Sequence, residues 1–286
     1  MLTAVAPAKV NLLLHVLGQR ADGYHALESL VAFTDFGDSV SVAVANDMRL
    51  EISGEFSDAC GNSRENLVMR AAYMLQERSG YLGGAHIQLT KNIPVGAGLG
   101  GGSSDAATAL LLLRALWQVA VPDAVLHAIA SSLGADVTMC LHHRPLIATG
   151  RGDVITTLPC ALPHFFMVLV YPRKVLSTPR VFSHYRADGA PPQAEDWQSF
   201  THDQILPKLQ RSKNHLQRAA ISICPEVAEV LLALETCPQQ PELVRMTGSG
   251  PCCFALFDEA ARAESLLRDI RKRYPHWWVA LSFLKD

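Results

Sequence analysis

The spacing of apolar and polar positions predicts mostly strands at the start of the chain and amphipathic helices further on. Four early segments combine short apolar runs with alternating positions, and we expect them to form a sheet meander. These strands are predicted at residues 8–16, 27–33, 38–44 and 48–53. A helix, a fifth strand and two more helices should follow, at residues 66–78, 86–90, 106–117 and 123–133.

The second half of the chain predicts a separate unit. A strand pair at residues 146–149 and 154–158 precedes the proline-bounded segment 159–163, so we place a boundary between domains 1–158 and 159–286. The polar, proline-bearing stretch from Arg186 to Asp203 is predicted to be a surface loop. Further strands are predicted at residues 165–171, 243–247, 252–257 and 277–284, and helices at 214–223, 225–235 and 259–274. Strands and helices mix without strict βαβ alternation, which indicates two α+β domains.

Composition narrows the class of protein. The chain has 286 residues, of which 49% are hydrophobic and 18% charged, enough for a substantial core. A net charge of -2 offers no broad attraction for nucleic acid or an anionic membrane. The seven cysteines include no C-x-x-C pair, which argues against a zinc site and for reduced thiols in the cytoplasm. We read no signal peptide and no apolar run long enough to span a bilayer.

A glycine-rich segment is the strongest chemical signal. Residues 94–105 contain five glycines and lead directly into an apolar, helix-forming run. Bare backbone N–H groups at the start of a helix suit a bound phosphate. The segment does not fit a dinucleotide fingerprint, because Lys91, Asn92 and Pro94 interrupt the approaching strand. It does not fit a P-loop either, because Gly102 stands where that motif has its lysine. The alternative is a turn that only allows close packing.

Two charged residues interrupt otherwise apolar segments of the sequence. Lys9 shares one strand face with Asn11, so it points either to solvent at a sheet edge or into a site. Asp136 follows a predicted helix end, where it either caps the next segment or accepts a proton from a substrate hydroxyl. Ser103 or Ser104 can cap the helix after the glycine segment, with Asp105 in the first turn of that helix.

Two turns carry further candidates. Tyr24 and His25 could stack on a nucleobase and bind its edge, or belong to an ordinary surface turn. The sequence Thr247-Gly248-Ser249-Gly250 is either a tight hairpin or a second group of backbone donors for an anion.

In their order along the chain, the Lys9 segment, the glycine segment and the turn at residues 247–250 resemble the three motifs of the GHMP kinase superfamily. The segments 7–12, 18–25, 98–104 and 133–137 are most similar to the branch that phosphorylates 4-diphosphocytidyl-2-C-methyl-D-erythritol in the non-mevalonate route to isoprenoids. The resemblance implies a two-domain GHMP fold of the α+β class. It comprises an N-terminal α/β domain that binds ATP and a C-terminal ferredoxin-like domain, with the active site between them.

The resemblance also implies roles for individual residues. Asp136 would act as the base, with Lys9 balancing charge, in direct transfer of phosphate from ATP to the 2-hydroxyl. Mg²⁺ would bridge the ATP phosphates, with Ser103 or Ser104 as a candidate ligand. The co-substrate ATP would contact Asn66, Pro94, Val95, Gly96, Ala97, Gly98, Leu99, Gly100, Gly101, Gly102, Ser103 and Ser104. The cytidine-diphosphate substrate would contact Asn11, Tyr24, His25, Thr247, Gly248, Ser249 and Gly250.

The chain departs from the family pattern at two places. Thr138 replaces a usual proline, and His215 and Gln217 replace the acidic residues of a usual Asn-Asp-Leu-Glu. We also identify no second aromatic partner for the cytosine. The alternatives are another GHMP small-molecule kinase, of the homoserine or mevalonate type, or a non-catalytic nucleotide-binding protein of the same fold. The protein should bind neither nucleic acid nor membrane, reside in the cytoplasm, and be a monomer or a homodimer.

Overall fold

A computed structural model describes residues 1–61, 65–187, 189–190 and 192–285 of the chain. The chain folds into two compact units, each assembled from separate stretches of sequence. The first comprises Met1–Lys9, Phe36–Val95 and Gly100–His143, and the second comprises Val10–Asp35, Gly96–Leu99 and Arg144–Asp286. The predicted boundary after residue 158 divides the chain differently and stays a prediction.

The strands and α-helices of the described residues follow in chain order. The strands are β1 (Leu2–Asn11), β2 (His15–Gln19), β3 (His25–Ala45), β4 (Met48–Ser53), β5 (Gly84–Thr90), β6 (Leu146–Gly150), β7 (Val154–Thr157), β8 (Phe166–Tyr171), β9 (Leu243–Met246), β10 (Cys253–Phe257) and β11 (Trp278–Phe283). The helices are α1 (Leu67–Ser79), α2 (Gly101–Trp117), α3 (Asp123–Leu133), α4 (Ala135–Cys140), α5 (Thr178–His184), α6 (His202–Arg211), α7 (Gln217–Ile223), α8 (Glu226–Glu235) and α9 (Ala260–Arg273).

In the first unit, helices cover a small sheet. Residues 39–45 of β3 pair antiparallel with β5, which pairs in parallel with β4. Val40 and Val42 are buried and alternate with more exposed positions, as expected of a strand with one covered face. The helices α1, α2, α3 and α4 pack on one another, and α2 supplies the buried Ala106 and Leu110 to the core.

The second unit contains a four-stranded antiparallel sheet in the order β11-β8-β10-β9. The chain passes through β8, helices, β9, β10, α9 and β11, which is the ferredoxin-like arrangement. One face of the sheet packs against α7, α8 and α9, where Val168, Phe257, Val230 and Leu266 share a buried cluster. The predicted α+β class and ferredoxin-like C-terminal half are confirmed. In the same unit, the first part of β3 pairs with β2 and β6, and β6 pairs with β7.

Several local predictions were wrong. The predicted strands 27–33 and 38–44 form one strand, β3, and both β1 and β2 pair with it, so there is no simple meander. The stretch from Arg186 to Asp203 is not only a surface loop: Trp197 within it is buried in a short 3-10 helix, and α6 begins at His202. Residues 188 and 191 of that stretch lie outside the described residues.

Candidate functional site

Lys9 and Asp136 form an ion pair in the first unit. Lys9 lies near the end of β1 and is 5% exposed, so it is not a solvated edge residue. Asp136 lies in the first turn of α4, and its Oδ2 is 3.3 Å from Lys9 Nζ. Gly134, not Asp136, occupies the N-cap of that helix, so the capping alternative is wrong. The Asp136 side chain is 43% exposed, which leaves a carboxylate accessible beside a buried cation.

The second part of the glycine segment places a helix start beside this pair. Helix α2 begins at Gly101, and its N-cap is Gly100 with φ 65°. A Cβ at Gly100 would lie 3.1 Å from Lys9 Cε, so only glycine combines this backbone with such close approach. Ser103 and Ser104 lie inside the first turn, and the prediction that one of them is the cap was wrong. The free N–H groups of that turn can bind an anion near Lys9.

The two serines differ in accessibility. Ser104 is fully buried, and its Oγ has no hydrogen-bond partner among the described residues. Ser103 is half-buried, so its hydroxyl remains reachable from solvent. Within the described ranges, no cluster of three or more His, Cys, Asp or Glu residues could hold a metal ion.

Asp105 lies beyond the first turn of α2, so our prediction that it belongs to that turn was wrong. It is buried, and its Oδ2 lies 2.6 Å from Lys91 Nζ, which also binds Asp38. Burial raises the pKa of Asp105 well above its ordinary range, because the attraction of Lys91 only partly offsets burial and the repulsion of Asp38. Burial alone would lower the pKa of Lys91, but Asp105 and Asp38 together raise it.

This buried cluster supports the approach to the glycine segment. Asp38 Oδ1 accepts hydrogen bonds from the backbone N–H groups of Asn92, at 2.5 Å, and Ile93, at 2.8 Å. A Cβ at Gly101 would lie 3.0 Å from Ile93 Cγ2 and 3.4 Å from Asp38 Oδ2. The cluster thus holds both the segment before Pro94 and the start of α2 in place. The sequence offered no signal for it beyond three charges in apolar surroundings.

Residues 96–99 of the glycine segment belong to the second unit, where they pack on the turn at residues 247–250. A Cβ at Gly98 would lie 2.8 Å from Gly250 O, and Cys252 donates its N–H to Ala97 O at 3.0 Å. Asn11 donates its backbone N–H to Thr247 Oγ1 at 2.9 Å. The two glycine turns and Asn11, which are far apart in sequence, therefore meet.

The other predicted site residues each make contacts of their own. Ser249 Oγ lies 2.8 Å from Thr178 Oγ1, and a Cβ at Gly248 would lie 3.3 Å from Asn11 Oδ1. In the first unit, Asn66 caps α1 by accepting the N–H of Val68 at 2.9 Å. This contact explains Asn66 structurally and leaves its predicted place near adenine a prediction. Pro94, Val95 and Leu99 complete the glycine segment, in which Leu99 is buried and Val95 is partly exposed.

A cavity of about 640 Å³ in the second unit contains Tyr24 and His25. The ring of His25 stacks on Phe182 with a centroid distance of 5.3 Å and meets Tyr185 edge-on at 5.7 Å. Tyr24 is 59% exposed at the same cavity. Three aromatic rings and an imidazole offer both stacking faces and an edge partner for a planar ligand.

Phe182 is the aromatic residue that sequence reasoning did not identify. It lies in the seven-residue helix α5, which we did not predict. A short helix with Pro179 near its start and no apolar periodicity gives little local signal. Only the packing of α5 beside the turn at His25 brings the ring to the cavity.

No helix among the residues that the structure describes is long and apolar enough to cross a membrane.

All seven cysteines are free thiols, and Cys140, Cys224, Cys252 and Cys253 are buried. Burial raises the pKa of Cys224 to about 11, so it stays protonated at neutral pH. Nothing at these thiols indicates chemistry of their own.

Comparisons with known proteins agree along the whole chain. Models of the GHMP kinase N-terminal domain and of the GHMP kinase C-terminal domain match residues 66–144 and 201–276. A 4-diphosphocytidyl-2-C-methyl-D-erythritol kinase of Parvibaculum lavamentivorans is 43% identical over 285 residues, which cover 98% of this chain and 97% of that protein. The corresponding kinase of Rhizobium etli is 42% identical over 282 residues, which cover 96% of this chain and 92% of that protein.

Solved structures give the same result. The crystal structure of a 4-(cytidine 5'-diphospho)-2C-methyl-D-erythritol kinase matches with a TM-score of 0.84 and 34% identity, covering both chains completely. A homoserine kinase from Cytophaga hutchinsonii matches with a TM-score of 0.71 at 18% identity, over 99% of this chain and 94% of the other. At that identity the second likeness concerns the fold alone.

Proposed function

Because the chain belongs to the GHMP kinases, in the branch of the 4-diphosphocytidyl-2-C-methyl-D-erythritol kinases, we propose that it phosphorylates the 2-hydroxyl of that compound. ATP is the phosphoryl donor in this family. The observation that carries the proposal is the pair of Lys9 and Asp136, with Nζ and Oδ2 3.3 Å apart, beside the start of α2. The pair supplies a base and a cation where a helix N-terminus can hold phosphate.

Asp136 acts on the acceptor hydroxyl. Its partly exposed carboxylate can accept a hydrogen bond from the hydroxyl and orient it toward the phosphoryl group. A carboxylate is a weak base toward an alcohol, so the proton transfers late, as the new P–O bond forms. Lys9 fixes the carboxylate and balances the charge that develops on the transferred group. No phosphoenzyme is needed, since the reaction depends mainly on positioning and on electrostatic stabilisation.

The glycine segment holds the triphosphate through backbone donors. Gly100, Gly101 and Gly102 leave the first N–H groups of α2 uncovered, and the helix dipole favours the anion. Mg²⁺ neutralises phosphate charge when it is bound with the nucleotide, and it usually keeps several water and phosphate ligands. The half-buried hydroxyl of Ser103 fits such a loosely held ion better than the fully buried Ser104 does. Asn66 is the residue that we expect near the adenine.

The aromatic cavity holds the cytosine. Tyr24 and Phe182 offer ring faces, and His25 offers nitrogen atoms for the edge of the base. Asn11 and the turn at residues 247–250 form one packed group that supplies backbone donors to the substrate. These features favour a nucleotide-bearing acceptor over homoserine or mevalonate, which have no base to stack. The other expectations, a cytoplasmic enzyme that is a monomer or a homodimer, remain part of this proposal.

A coupled ADP-release assay with the purified protein tests the substrate. We expect ATP-dependent ADP release with 4-diphosphocytidyl-2-C-methyl-D-erythritol and only background release with homoserine or mevalonate. Release with homoserine or mevalonate alone would assign the chain to another GHMP specificity. Absence of release with all three acceptors, in a folded protein that binds ATP, would indicate a non-catalytic member.

A further inference from the structure

Arg151 lies against one of the residues proposed to bind the base. It belongs to the turn between β6 and β7, and its guanidinium carbon is 5.2 Å from the centre of the Tyr24 ring. Both side chains line the cavity of about 640 Å³ that also contains His25 and Phe182. Arg151 lies in none of the sequence motifs described above. A guanidinium at this distance from an aromatic ring is a cation–π contact.

The guanidinium is held in place by its own turn. Asp153 Oδ2 accepts hydrogen bonds from Arg151 Nε at 3.2 Å and from Nη2 at 3.1 Å, and Oδ1 accepts the Arg151 backbone N–H at 2.9 Å. Gly150 and Gly152, with φ of 69° and 95°, allow the tight turn that makes these bonds. Burial would raise the pKa of Asp153, but the hydrogen bonds from Arg151 lower it overall, which keeps the carboxylate charged.

Tyr24, in contrast, has a fixed backbone and an exposed ring. Its backbone N–H donates to Asp22 Oδ1 at 3.1 Å, and its carbonyl accepts the N–H of Arg20 at 2.8 Å. The side chain is 59% exposed, so core packing does not restrict its rotamer. Pairing of Leu27 with Gly150 in the β3–β6 ladder brings the two turns side by side. The guanidinium is therefore a contact that can restrain the ring.

We propose that Arg151 is a positioning residue for the nucleobase: fixed by Asp153, it holds the Tyr24 ring at the cavity in an orientation ready to stack on cytosine. This inference rests on the proposed function, because it assumes that the base binds in this cavity. Arg151 acts through Tyr24 and touches none of the reacting atoms. Its removal should weaken binding of the base and leave phosphoryl transfer unchanged.

The test compares Arg151→Gln with Arg268→Gln. Arg268 is the control because it is also exposed and also pairs with a carboxylate, Glu264, but does not line the cavity. We expect Arg151→Gln to raise the KM for the cytidine-diphosphate substrate about two- to fivefold, the strength of an exposed cation–π contact, with kcat and the KM for ATP unchanged. Arg268→Gln should stay near wild type. Equal KM values for Arg151→Gln and wild type would overturn the inference.

A double-mutant cycle with Tyr24→Ala separates positioning from other roles. If Arg151 acts through the ring, Arg151→Gln should have no further effect on KM once Tyr24 is alanine, whereas additive effects would contradict the inference. Titrations with cytidine and CDP give a second readout. Equal weakening of both ligands supports positioning, and weakening of CDP alone would show that the guanidinium binds the diphosphate instead. Should the wild-type protein bind neither ligand, the proposed base site fails first, and the Arg151 inference fails with it.

Discussion

At the scale of single residues, the proposed chemistry depends on one accessible carboxylate. Asp136 differs from the buried carboxylates Asp38 and Asp105 because its side chain is 43% exposed while its partner, Lys9, is buried. A substrate hydroxyl can reach only a carboxylate of this kind. Asp136 pairs with Lys9, which lies against the start of α2, and we therefore propose that its charge matters most for transfer.

We predict that Asp136→Asn lowers kcat by about 10²–10⁴-fold and leaves the KM for ATP nearly unchanged, because the amide can hold the hydroxyl but cannot take its proton. Steady-state kinetics with varied ATP and varied acceptor would check this. Asp123→Asn is the matched control, since Asp123 also lies in the first turn of a helix of the same unit and is mostly exposed. A kcat for Asp136→Asn equal to that of the control would remove Asp136 from the mechanism.

At the scale of elements, the glycine segment contains a glycine whose surroundings, as well as its backbone, exclude a side chain. Gly100 and Gly80 both have left-handed backbones, with φ of 65° and 67°. A Cβ at Gly80 meets nothing within 4 Å, whereas one at Gly100 would press on Lys9. The two positions therefore separate the cost of an unfavourable φ from the effect on the site.

We predict that Gly80→Ala and Gly100→Ala each lose about 1 kcal/mol of unfolding free energy from the backbone term alone. Only Gly100→Ala should also lose activity, by about 10–100-fold in kcat, because a small displacement of Lys9 disturbs the reacting geometry. Urea unfolding and the ADP-release assay, applied to both variants, check the pair. Similar kcat values in the two variants would show that Gly100 serves only the turn.

The buried cluster of Lys91, Asp38 and Asp105 predicts a pH dependence of stability. Because the folded protein raises the pKa of Asp105, it binds that proton more tightly than the unfolded chain does. The tighter proton binding adds to the free energy of unfolding. This added stability is complete below the ordinary aspartate pKa of about 3.9 and is lost as the pH rises through the raised pKa. The pKa of Lys91 is also raised, so its contribution is lost only in alkaline solution, outside a window of roughly pH 5–8.

Asp105→Asn should therefore gain stability relative to wild type as the pH rises from about 5 to 8. The amide keeps a hydrogen-bond acceptor for Lys91 and removes one of two carboxylates that share it. Urea unfolding of both proteins across this range gives the difference directly. Parallel curves for the two proteins would mean that Asp105 has no raised pKa in the folded state.

Predictability also varied between elements, for physical reasons. Helices α1 and α3 were predicted within a residue of their observed bounds, because each has a repeating apolar face and ends at a glycine. Helices α4 and α5 have six and seven residues, too few for periodicity to register. The continuity of β3 could not be seen either, since Gly37 reads as a break but lies against Ala6 of β1, where a side chain would clash.

At the scale of the whole molecule, the candidate site combines residues from distant parts of the sequence. The motifs around Lys9, Gly100 and Asp136 were visible in the sequence, but their proximity in the first unit follows from the fold. The ring of Phe182 and the guanidinium of Arg151 gave no motif signal at all, because their proposed roles arise from packing around one cavity. The order of motifs thus predicted the family and the fold class, while the details of the proposed base site required the structure.

In the proposed reaction, this chain transfers the terminal phosphate of ATP to one hydroxyl of a cytidine-diphosphate substrate. ³¹P NMR can follow this reaction directly with wild-type protein, 4-diphosphocytidyl-2-C-methyl-D-erythritol and ATP. We expect one ADP and one new phosphomonoester on the 2-hydroxyl per turnover, with both signals of the cytidine diphosphate preserved. Formation of inorganic phosphate without a monoester, or a monoester at another position, would contradict it.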